Sequence, residues 1–441
     1  MPAVSTCTKP QQHAAARTPG APQSIIVNVV LLPPMPGQVV RAGEVNAIAA
    51  AAQPPGHAVG SRPTALSAAQ AEAAAASIEP ALFEEAGQVD ASGALPSRSL
   101  ALLHTCGLLA APLPESVGGG AGLNAPHLRR SLLRVLAHLG RGSLPVGRLY
   151  EGHVNALGLI EAFAAPEAAA RWFCDAAAGH LFAVWNTEDA AGLRLVADQP
   201  GRWQLQGAKT FASGVGTVSR ALLTARDDAG GWQMLVVDTD IHQPEIDRAF
   251  WKPLGMRSTG SFKADFNHCT VRTTDLVGAP GDYGREPAFS GGAVRFAAVQ
   301  QGGIEAVFDA TRAFLVRLGR TDDPHQRARL GEMAACVAGG RQWLLAAAQH
   351  AVAPADPPAE SGRAVAHAHL MRTAIESNAL RVLQLAARSV GARGLLAPEP
   401  FERLHRDLTH YLRQAGPDAA LTAAGTYVLS HAAPAYALWN E

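Results

Sequence analysis

Hydrophobic spacing changes twice along the chain, and the two changes divide it into three parts. In the Ala-rich stretch 67–179, Leu, Ile and Val recur at three- and four-residue intervals, as in 132–139, which predicts amphipathic helices. From about residue 181 the apolar runs are short and are separated by turn sequences such as Asp-Gln-Pro-Gly at 198–201, which predicts an antiparallel β domain. Long helical periodicity returns over about 291–430 and predicts a helix bundle.

The predicted fold is therefore α+β and mostly α. It has an N-terminal helical domain at 61–180, a central antiparallel β domain at 181–280 and a C-terminal helical bundle at 281–441. Residues 1–60 are rich in Ala, Pro, Gln and Gly, which predicts a disordered extension. A short apolar run at 24–35 makes a signal peptide the alternative, but the Pro- and Gln-rich region before it disfavours that interpretation.

Composition excludes several classes of function. Lys+Arg and Asp+Glu are both 37, so no basic excess exists to bind a nucleic-acid backbone. No apolar run reaches the ~18 residues that a membrane helix needs, so we expect no membrane partner. The five cysteines are scattered without a CxxC pair, which predicts neither a disulfide framework nor a metal site and favours the cytoplasm.

Five segments carry candidate chemistry, and each by itself is typical of a turn, a hairpin or a helix end. They are GLLAAPLPESVGGGAGL at 107–123, FAVWNTEDAAG at 182–192, GAKTFASGVGTVSRALLTAR at 207–226, WKPLGMRSTGSFKADF at 251–266 and GARGLLAPEPFERLHRDL at 391–408. In this order, within a helix–sheet–helix chain, they resemble motifs of the acyl-CoA dehydrogenase superfamily of flavoproteins. The resemblance covers about residues 70–435.

The resemblance implies a bound FAD whose ring lies against the β domain. A strand end offers donors to the flavin pyrimidine edge, an aromatic side chain shields the ring, and a hydroxyl can hydrogen-bond to N5. By motif position the aromatic residue is Phe211 and the hydroxyl is that of Ser213. The full set of ring-side candidates is Val184, Asn186, Thr187, Gly192, Phe211 and Ser213.

The FAD phosphates would be held at the far end of the bundle, across a homodimer or homotetramer interface. Gly391 and Ala392 match the two glycines of the family motif, so the second glycine is missing. Arg388 replaces a Gln that commonly binds FAD, and Arg320 matches the Arg of Arg-x-x-Phe-Gly, but Thr-Asp-Asp-Pro follows it. Two further roles implied by position are a substrate contact for Arg257 and a structural ion pair for 406–407.

The residues depart from the family where the catalytic base should be. A dehydrogenase needs a carboxylate over the substrate α-carbon, and the two family positions for it hold Ala415 and Val294. Asp418, about one helical turn further on, is a weak candidate to replace it, as is His410. The catalytic residue therefore stays unassigned.

Three functions remain open from the sequence. The first is an FAD-dependent oxidoreductase acting on the CH–CH group of an acyl-CoA or a similar thioester, with an electron-transfer flavoprotein or oxygen as acceptor. The second is a flavin monooxygenase on the same fold, which needs no α-proton base. The third is a non-catalytic subunit that keeps the fold, which the missing glycine at Ala392 favours.

Overall fold

The structure is a computed structural model that describes residues 65–352, 358–435 and 437–438. The extension predicted for residues 1–60 lies outside the described residues.

Five helices make up the N-terminal part: α1 (Ala68–Asp90), α2 (Ser97–Thr105), α3 (Arg129–Gly142), α4 (Leu144–Phe163) and α5 (Pro166–Ala177). A capping box between Ser67 and Gln70 begins α1. The Ser143 hydroxyl accepts from the Val146 amide and begins α4 immediately after α3 ends. The predicted apolar face of α3 (132–139) is buried, which confirms the helical prediction there.

A nine-stranded sheet follows: β1 (Phe182–Trp185), β2 (Leu193–Gln199), β3 (Arg202–Ala212), β4 (Arg220–Arg226), β5 (Trp232–Asp238), β6 (Glu245–Asp247), β7 (Phe262–Asp265), β8 (Thr270–Arg272) and β9 (Leu276–Val277). Most pairings are antiparallel, but β4 pairs in parallel with β1 and, at Arg194 and Arg226, with β2. The sheet is therefore mixed rather than purely antiparallel, because β1 enters it from α5 and runs beside a strand 38 residues further on.

The C-terminal part consists of α6 (Ala288–Arg317), α7 (Pro324–Gln349), α8 (Pro358–Gly394), α9 (Pro400–Tyr411) and α10 (Pro417–Ser430). Long α6 is central, packing on α3 and α4 on one side and on α7, α8 and α9 on the other. Its crossing with α3 is close because a Cβ at Gly302 would lie 2.0 Å from the Ala137 carbonyl oxygen. The predicted helix–sheet–helix order is confirmed, and none of the described helices has the length and apolarity to cross a bilayer.

Helix α4 ties the helices to the sheet. Buried His153 donates from Nε2 to the Leu109 carbonyl oxygen (2.7 Å) and accepts the Phe182 amide at Nδ1 (3.1 Å), so it joins α4 to the start of β1. Next to it, a Cβ at Gly152 would lie 3.9 Å from the Ala183 Cα. One α4 face therefore runs along β1 towards the segment with the ring-side candidates.

Candidate active site

The ring-side candidates gather around the ends of β1 and β3. The Trp185 indole is buried and donates to the Ser213 carbonyl oxygen at 2.9 Å, and the Thr210 amide donates to the Thr187 carbonyl oxygen at 2.9 Å. These bonds hold the segment after β1 against the last residues of β3. Thr187 is exposed and Val184 half-buried, so part of this segment is open to a ligand.

Phe211 projects from the surface formed by the ends of β1 and β3, which we call the wall, and its backbone conformation is strained. Its φ is +53°, in the left-handed region that favours glycine, and it lies where the register of β3 against β7 shifts between Lys209 and Ala212. The ring is 41% exposed. An outward aromatic side chain on a strained bulge is the kind of feature that binding sites retain.

An aromatic row supports Phe211. Its ring meets Phe250 edge-to-face at 5.2 Å and Trp251 at 6.1 Å, measured between centroids. Trp251 in turn meets His410 at 5.4 Å, and its indole donates to the Arg257 carbonyl oxygen at 3.0 Å. The sequence motifs did not single out Phe250 or Trp251 as site residues. Their signal was the adjacent aromatic pair just before the Lys-Pro-Leu-Gly turn.

The Ser213 hydroxyl is buried in a chain of hydroxyls rather than projecting freely. Ser213 and Ser261 share a hydrogen bond of 2.9 Å between their Oγ atoms, and Ser261 shares one of 2.8 Å with Thr259. Ser213 is 6% exposed. Thr259 also donates to the Met256 carbonyl oxygen at 2.9 Å, so Ser261 donates to Thr259 and Ser213 donates to Ser261. The Ser213 proton is therefore used, and its oxygen keeps an acceptor position for a ligand.

Asn186 and Gly192 belong to a buried charge network at the back of the wall. Lys209, fully buried, donates to the Glu188 carboxylate (2.8 Å), the Asn186 carbonyl oxygen (3.0 Å) and the Thr224 hydroxyl (3.2 Å). The Thr224 hydroxyl donates to Asn186 Oδ1 at 2.6 Å, so this side chain turns into the sheet. Burial lowers the pKa of Lys209, while Glu188 raises it.

Glu188 also fixes the loop that carries Gly192. Its carboxylate accepts the Leu193 amide at 3.2 Å, and a Cβ at Gly192 would lie 3.1 Å from it. Gly192 has φ +70° and is buried. In the Thr-Glu pair of the motif, Thr187 is therefore exposed on the wall, whereas Glu188 binds Lys209 and the loop inside the protein.

Helix α9 closes one side of the wall. Neither of the two family base positions, one after α9 and one on α6, holds a carboxylate. Ala415, exposed, follows α9, and Val294 is half-buried on α6. Asp418 is exposed in the first turn of α10. His410 is half-buried against Trp251, and burial lowers its pKa.

The Arg-Asp pair at 406–407 anchors α9, but through other partners than each other. Arg406 binds Asp90 at 2.6 Å and also Glu402, whereas Asp407 accepts the Met256 amide at 2.6 Å. The pairing implied by the resemblance is therefore replaced by bonds that fix α9 to α1 and to the loop after Trp251.

A row of buried and half-buried polar groups on α4 and α6 faces this region, and the sequence motifs missed it. We call it the α4 polar row: Arg148, Glu151, Asn155 and Arg295. Arg148 donates to Glu151 at 2.7 Å, Asn155 donates to the other Glu151 oxygen, and Arg295 donates to Asn155 Oδ1. The signal in the sequence was the pair Arg148 and Glu151, three residues apart in the mostly apolar first part of the helix.

Two contacts place this row beside the wall. Leu149, next to Arg148, approaches Gly214 so closely that a Cβ there would lie 2.9 Å from its Cδ2 atom. Tyr411, at the end of α9, is buried with a hydroxyl that has no partner, and burial raises its pKa well above the usual value, with Glu151 raising it further.

The phosphate-side candidates lie apart, at the exposed ends of α6 and α8. Arg320, Arg388, Gly391 and Ala392 are all exposed. Gly391 has φ +62° and interrupts the helical geometry of α8. An ion pair of 2.5 Å between Arg317 and Glu399 joins the two ends, so these candidates share one end of the bundle.

The comparisons with known proteins agree with this architecture. Residues 286–423 match the sequence model of the acyl-CoA dehydrogenase C-terminal domain. Together with the helix–sheet–helix fold, this match supports a relationship to the acyl-CoA dehydrogenase superfamily, whose members are oxidoreductases.

The individual relatives share only low sequence identity with this chain. YdbM of Bacillus subtilis (strain 168), provisionally described as an acyl-CoA dehydrogenase, is 25% identical over 348 residues, 74% of this chain and 87% of its own length. The fold is also that of dibenzothiophene monooxygenase TdsC from Paenibacillus sp. A11-2 (TM-score 0.75, 18% identity, 83% of this chain and 98% of that one), which has also been solved with FMN bound. Nitrososynthase from Micromonospora carbonacea var. africana superposes with TM-score 0.73 (21% identity, 84% and 98%).

Proposed function

We propose that the protein is a flavin-dependent monooxygenase that uses reduced flavin and O₂ to oxygenate a small organic substrate. In such a reaction, two electrons and two protons come from the reduced flavin, one oxygen atom enters the substrate and the other leaves as water. This chain's part is to bind the ring, orient the substrate and exclude water.

The observation that carries the proposal is the missing carboxylate. Removal of an α-proton needs a free base, and Ala415 and Val294 occupy the family positions for it. Glu151 is the nearby buried carboxylate of the α4 polar row, but Arg148 and Asn155 occupy both of its oxygens. A monooxygenase needs no such base, so apolar residues at these two positions do not prevent its reaction.

The wall residues fit a flavin ring. Phe211 offers an exposed aromatic edge or face, the exposed Thr187 offers donors at a strand end, and the Ser213 hydroxyl oxygen can accept one hydrogen bond. When bound there, a reduced flavin would supply the two electrons that O₂ requires. Trp251 and His410 would shield that side of the site from water.

We propose FMN rather than FAD as the flavin in use. The phosphate-side motif lacks its second glycine, at Ala392, and Thr-Asp-Asp-Pro follows Arg320. TdsC and KijD3, two proteins of this fold, have been solved with FMN, which agrees with a site that holds the ring and one phosphate. Binding of FAD with higher affinity than FMN would instead support the role implied for Arg388 and Gly391.

The second candidate function is dehydrogenation of an acyl thioester. The relative YdbM favours it, and Arg257 beside Trp251 could bind an anionic group of a CoA ester. Asp418 or His410 would then have to act as the base, which requires α10 to bring Asp418 inward from its exposed position.

Spectroscopy of the purified protein separates the alternatives. We expect FMN fluorescence to be quenched on binding, octanoyl-CoA to leave the flavin oxidised under anaerobic conditions, and reduced FMN with ¹⁸O₂ to label an aromatic probe such as indole or phenylacetate. Anaerobic bleaching by octanoyl-CoA would establish the dehydrogenase instead. Failure to bind either flavin would support a non-catalytic subunit.

A further inference from the structure

A cavity of 390 Å³ opens between the N-terminal helices and the bundle. Its walls come from the start of α3, the end of α4, the first turns of α6 and the facing ends of α7 and α8. Leu159, Val294 and several alanines make most of the surface apolar. A volume in this range suits a small organic molecule.

An arginine without a partner faces this cavity. Arg129 is the first residue of α3, and its side chain has no hydrogen bond or ion pair with any described residue. Its Nε atom is fully buried. Burial lowers the pKa of Arg129, and the carboxylate of Glu161 raises it without coming within ion-pair distance. A guanidinium with five donors and a fully enclosed Nε is expected to be paired, so this one lacks a partner that the cavity could hold.

A second polar group beside it also lacks partners. Both the Oδ1 and the Nδ2 atoms of Asn124 are buried without a hydrogen bond to any residue that the structure describes, and Asn124 lines the same cavity. Buried amides are almost always hydrogen-bonded. Two independent side chains thus leave their bonding capacity unused at one place, which indicates a ligand rather than a packing accident.

The charges around the cavity favour an anion. Arg129 and Arg295 carry two positive charges against one carboxylate, Glu161. Burial and the charge of Arg129 lower the pKa of Arg295 to about 9, which still leaves it cationic at neutral pH. Burial and His350 lower the pKa of His367 to about 4, so His367 is neutral there.

We infer that this cavity binds the carboxylate end of a small organic acid, with Arg129 as its ion-pair partner and Asn124 as a further hydrogen-bonding group. The apolar lining would receive the body of the molecule. Arg295 lines the cavity and is also the last member of the α4 polar row, so the row links the cavity to the flavin wall. Along α4 the row spans about 10 Å between residues 148 and 155, at a rise of ~1.5 Å per residue. The inference therefore rests on the proposed function and names the substrate class of that enzyme.

Binding of phenylacetate, compared with the neutral phenylacetamide, tests the inference on the full-length protein by calorimetry. We expect phenylacetate to bind at least about tenfold more tightly than the amide. Arg129→Met should abolish that preference, whereas Arg130→Met, which changes the exposed neighbouring arginine, should leave it intact. Glu161→Gln removes the opposing charge and should tighten phenylacetate binding.

A melting temperature measured without ligand separates a binding role from a structural one. If Arg129 awaits a ligand, Arg129→Met melts at the same temperature as the parent protein or higher, because an unpaired buried charge is removed. Equal binding of acid and amide, or a large fall in the melting temperature of Arg129→Met, would overturn the inference. FMN binding by Arg129→Met is measured in parallel, so a failed proposed function, seen as no flavin binding, is distinguishable from a failed anion site.

Discussion

At the scale of single residues, the candidate site combines positions that the sequence predicts with positions that it hides. Thr187, Phe211 and Ser213 stand in motifs that can be matched by spacing, and the structure brings them to one wall. Lys209 on β3 and Glu188 in the loop after β1 lie 21 residues apart, so only the fold shows that they meet. A motif identifies residue types, but it contains no information about which side chains turn inward.

The strained backbone at Phe211 provides a test of its role. Left-handed conformations of residues other than glycine cost about 1–3 kcal/mol, and Asn tolerates them well. Phe211→Asn therefore relieves strain while it removes contacts with Phe250 and Trp251, so we expect unfolding free energy to change by less than about 1 kcal/mol. FMN affinity should fall about tenfold or more, since the shielding ring is gone.

Fluorescence titration with FMN and urea denaturation would measure the two effects of Phe211→Asn. Ile241→Asn, at another exposed apolar position, serves as the control and should alter neither quantity greatly. Unchanged flavin affinity in Phe211→Asn would show that the ring packs elsewhere.

The buried lysine gives a second residue-scale prediction. Lys209→Met leaves the Glu188 carboxylate without its closest cation, and breaking a buried ion pair on one side costs about 3–5 kcal/mol. The double variant Lys209→Met/Glu188→Gln should regain part of that loss. Lys263→Met, which breaks a half-exposed pair with Asp189, should cost less than about 1 kcal/mol. Urea denaturation of the four proteins checks this order, and equal losses at Lys209 and Lys263 would contradict it.

At the scale of elements, periodicity predicts the helices well and the sheet only in part. The buried face of α3 follows from its apolar spacing, because the periodicity of a helix is set by residues within the same segment. The parallel pairing of β1 with β4 does not follow from spacing, because it depends on how α5 delivers β1 to the sheet. The charged residues of α4 were visible in the sequence, but their joint orientation towards one region required the fold.

The joint between α4 and β1 predicts a dependence of stability on pH. Burial lowers the pKa of His153 to about 4, against the hydrogen bond to Leu109, which raises it. Protonation of Nδ1 would also remove the acceptor of the Phe182 amide. The unfolded chain takes up this proton near pH 6.5, so the folded state loses stability as pH falls from about 6.5 to 4. A shift of this size corresponds to about 3 kcal/mol. His367 acts in the same window and direction.

Urea denaturation between pH 4.5 and 7.5 checks this dependence. His153→Gln should be less stable at neutral pH, but its unfolding free energy should fall less steeply towards acid. The slope should correspond to about one proton fewer taken up on unfolding. His127→Gln, at an exposed position, should keep the parent slope. An unchanged slope in His153→Gln would mean that other groups control acid unfolding.

At the scale of the whole molecule, the single chain leaves part of its candidate site unfinished. The phosphate-side residues Arg388, Gly391 and Ala392 are exposed and lie apart from the wall at Phe211. The resemblance implied that such residues reach the flavin of a partner subunit. The same end of α8 is followed by Leu395 and Leu396, which are 43% and 63% exposed.

Further exposed apolar side chains lie on α10, which packs on the first half of α8 near Gly362 and Arg372. Leu421 and Leu429 are 49% and 89% exposed. Exposed apolar side chains that cluster on a bundle mark protein interfaces. We therefore propose that the protein is a homodimer or homotetramer that uses the ends of α8 and α10.

Light scattering coupled to size exclusion tests this assembly. We expect a mass of at least twice the 45.9 kDa of the chain. Leu396→Glu/Leu429→Glu should shift it towards a single chain, because burying two carboxylates in an apolar interface is unfavourable. Ile241→Glu, on the β domain and 72% exposed, should leave the mass unchanged. If a partner's α8 end completes the flavin site, the dissociated variant also binds flavin more weakly. If it binds flavin with parental affinity, each chain holds the cofactor alone, as an FMN site confined to the wall at Phe211 would.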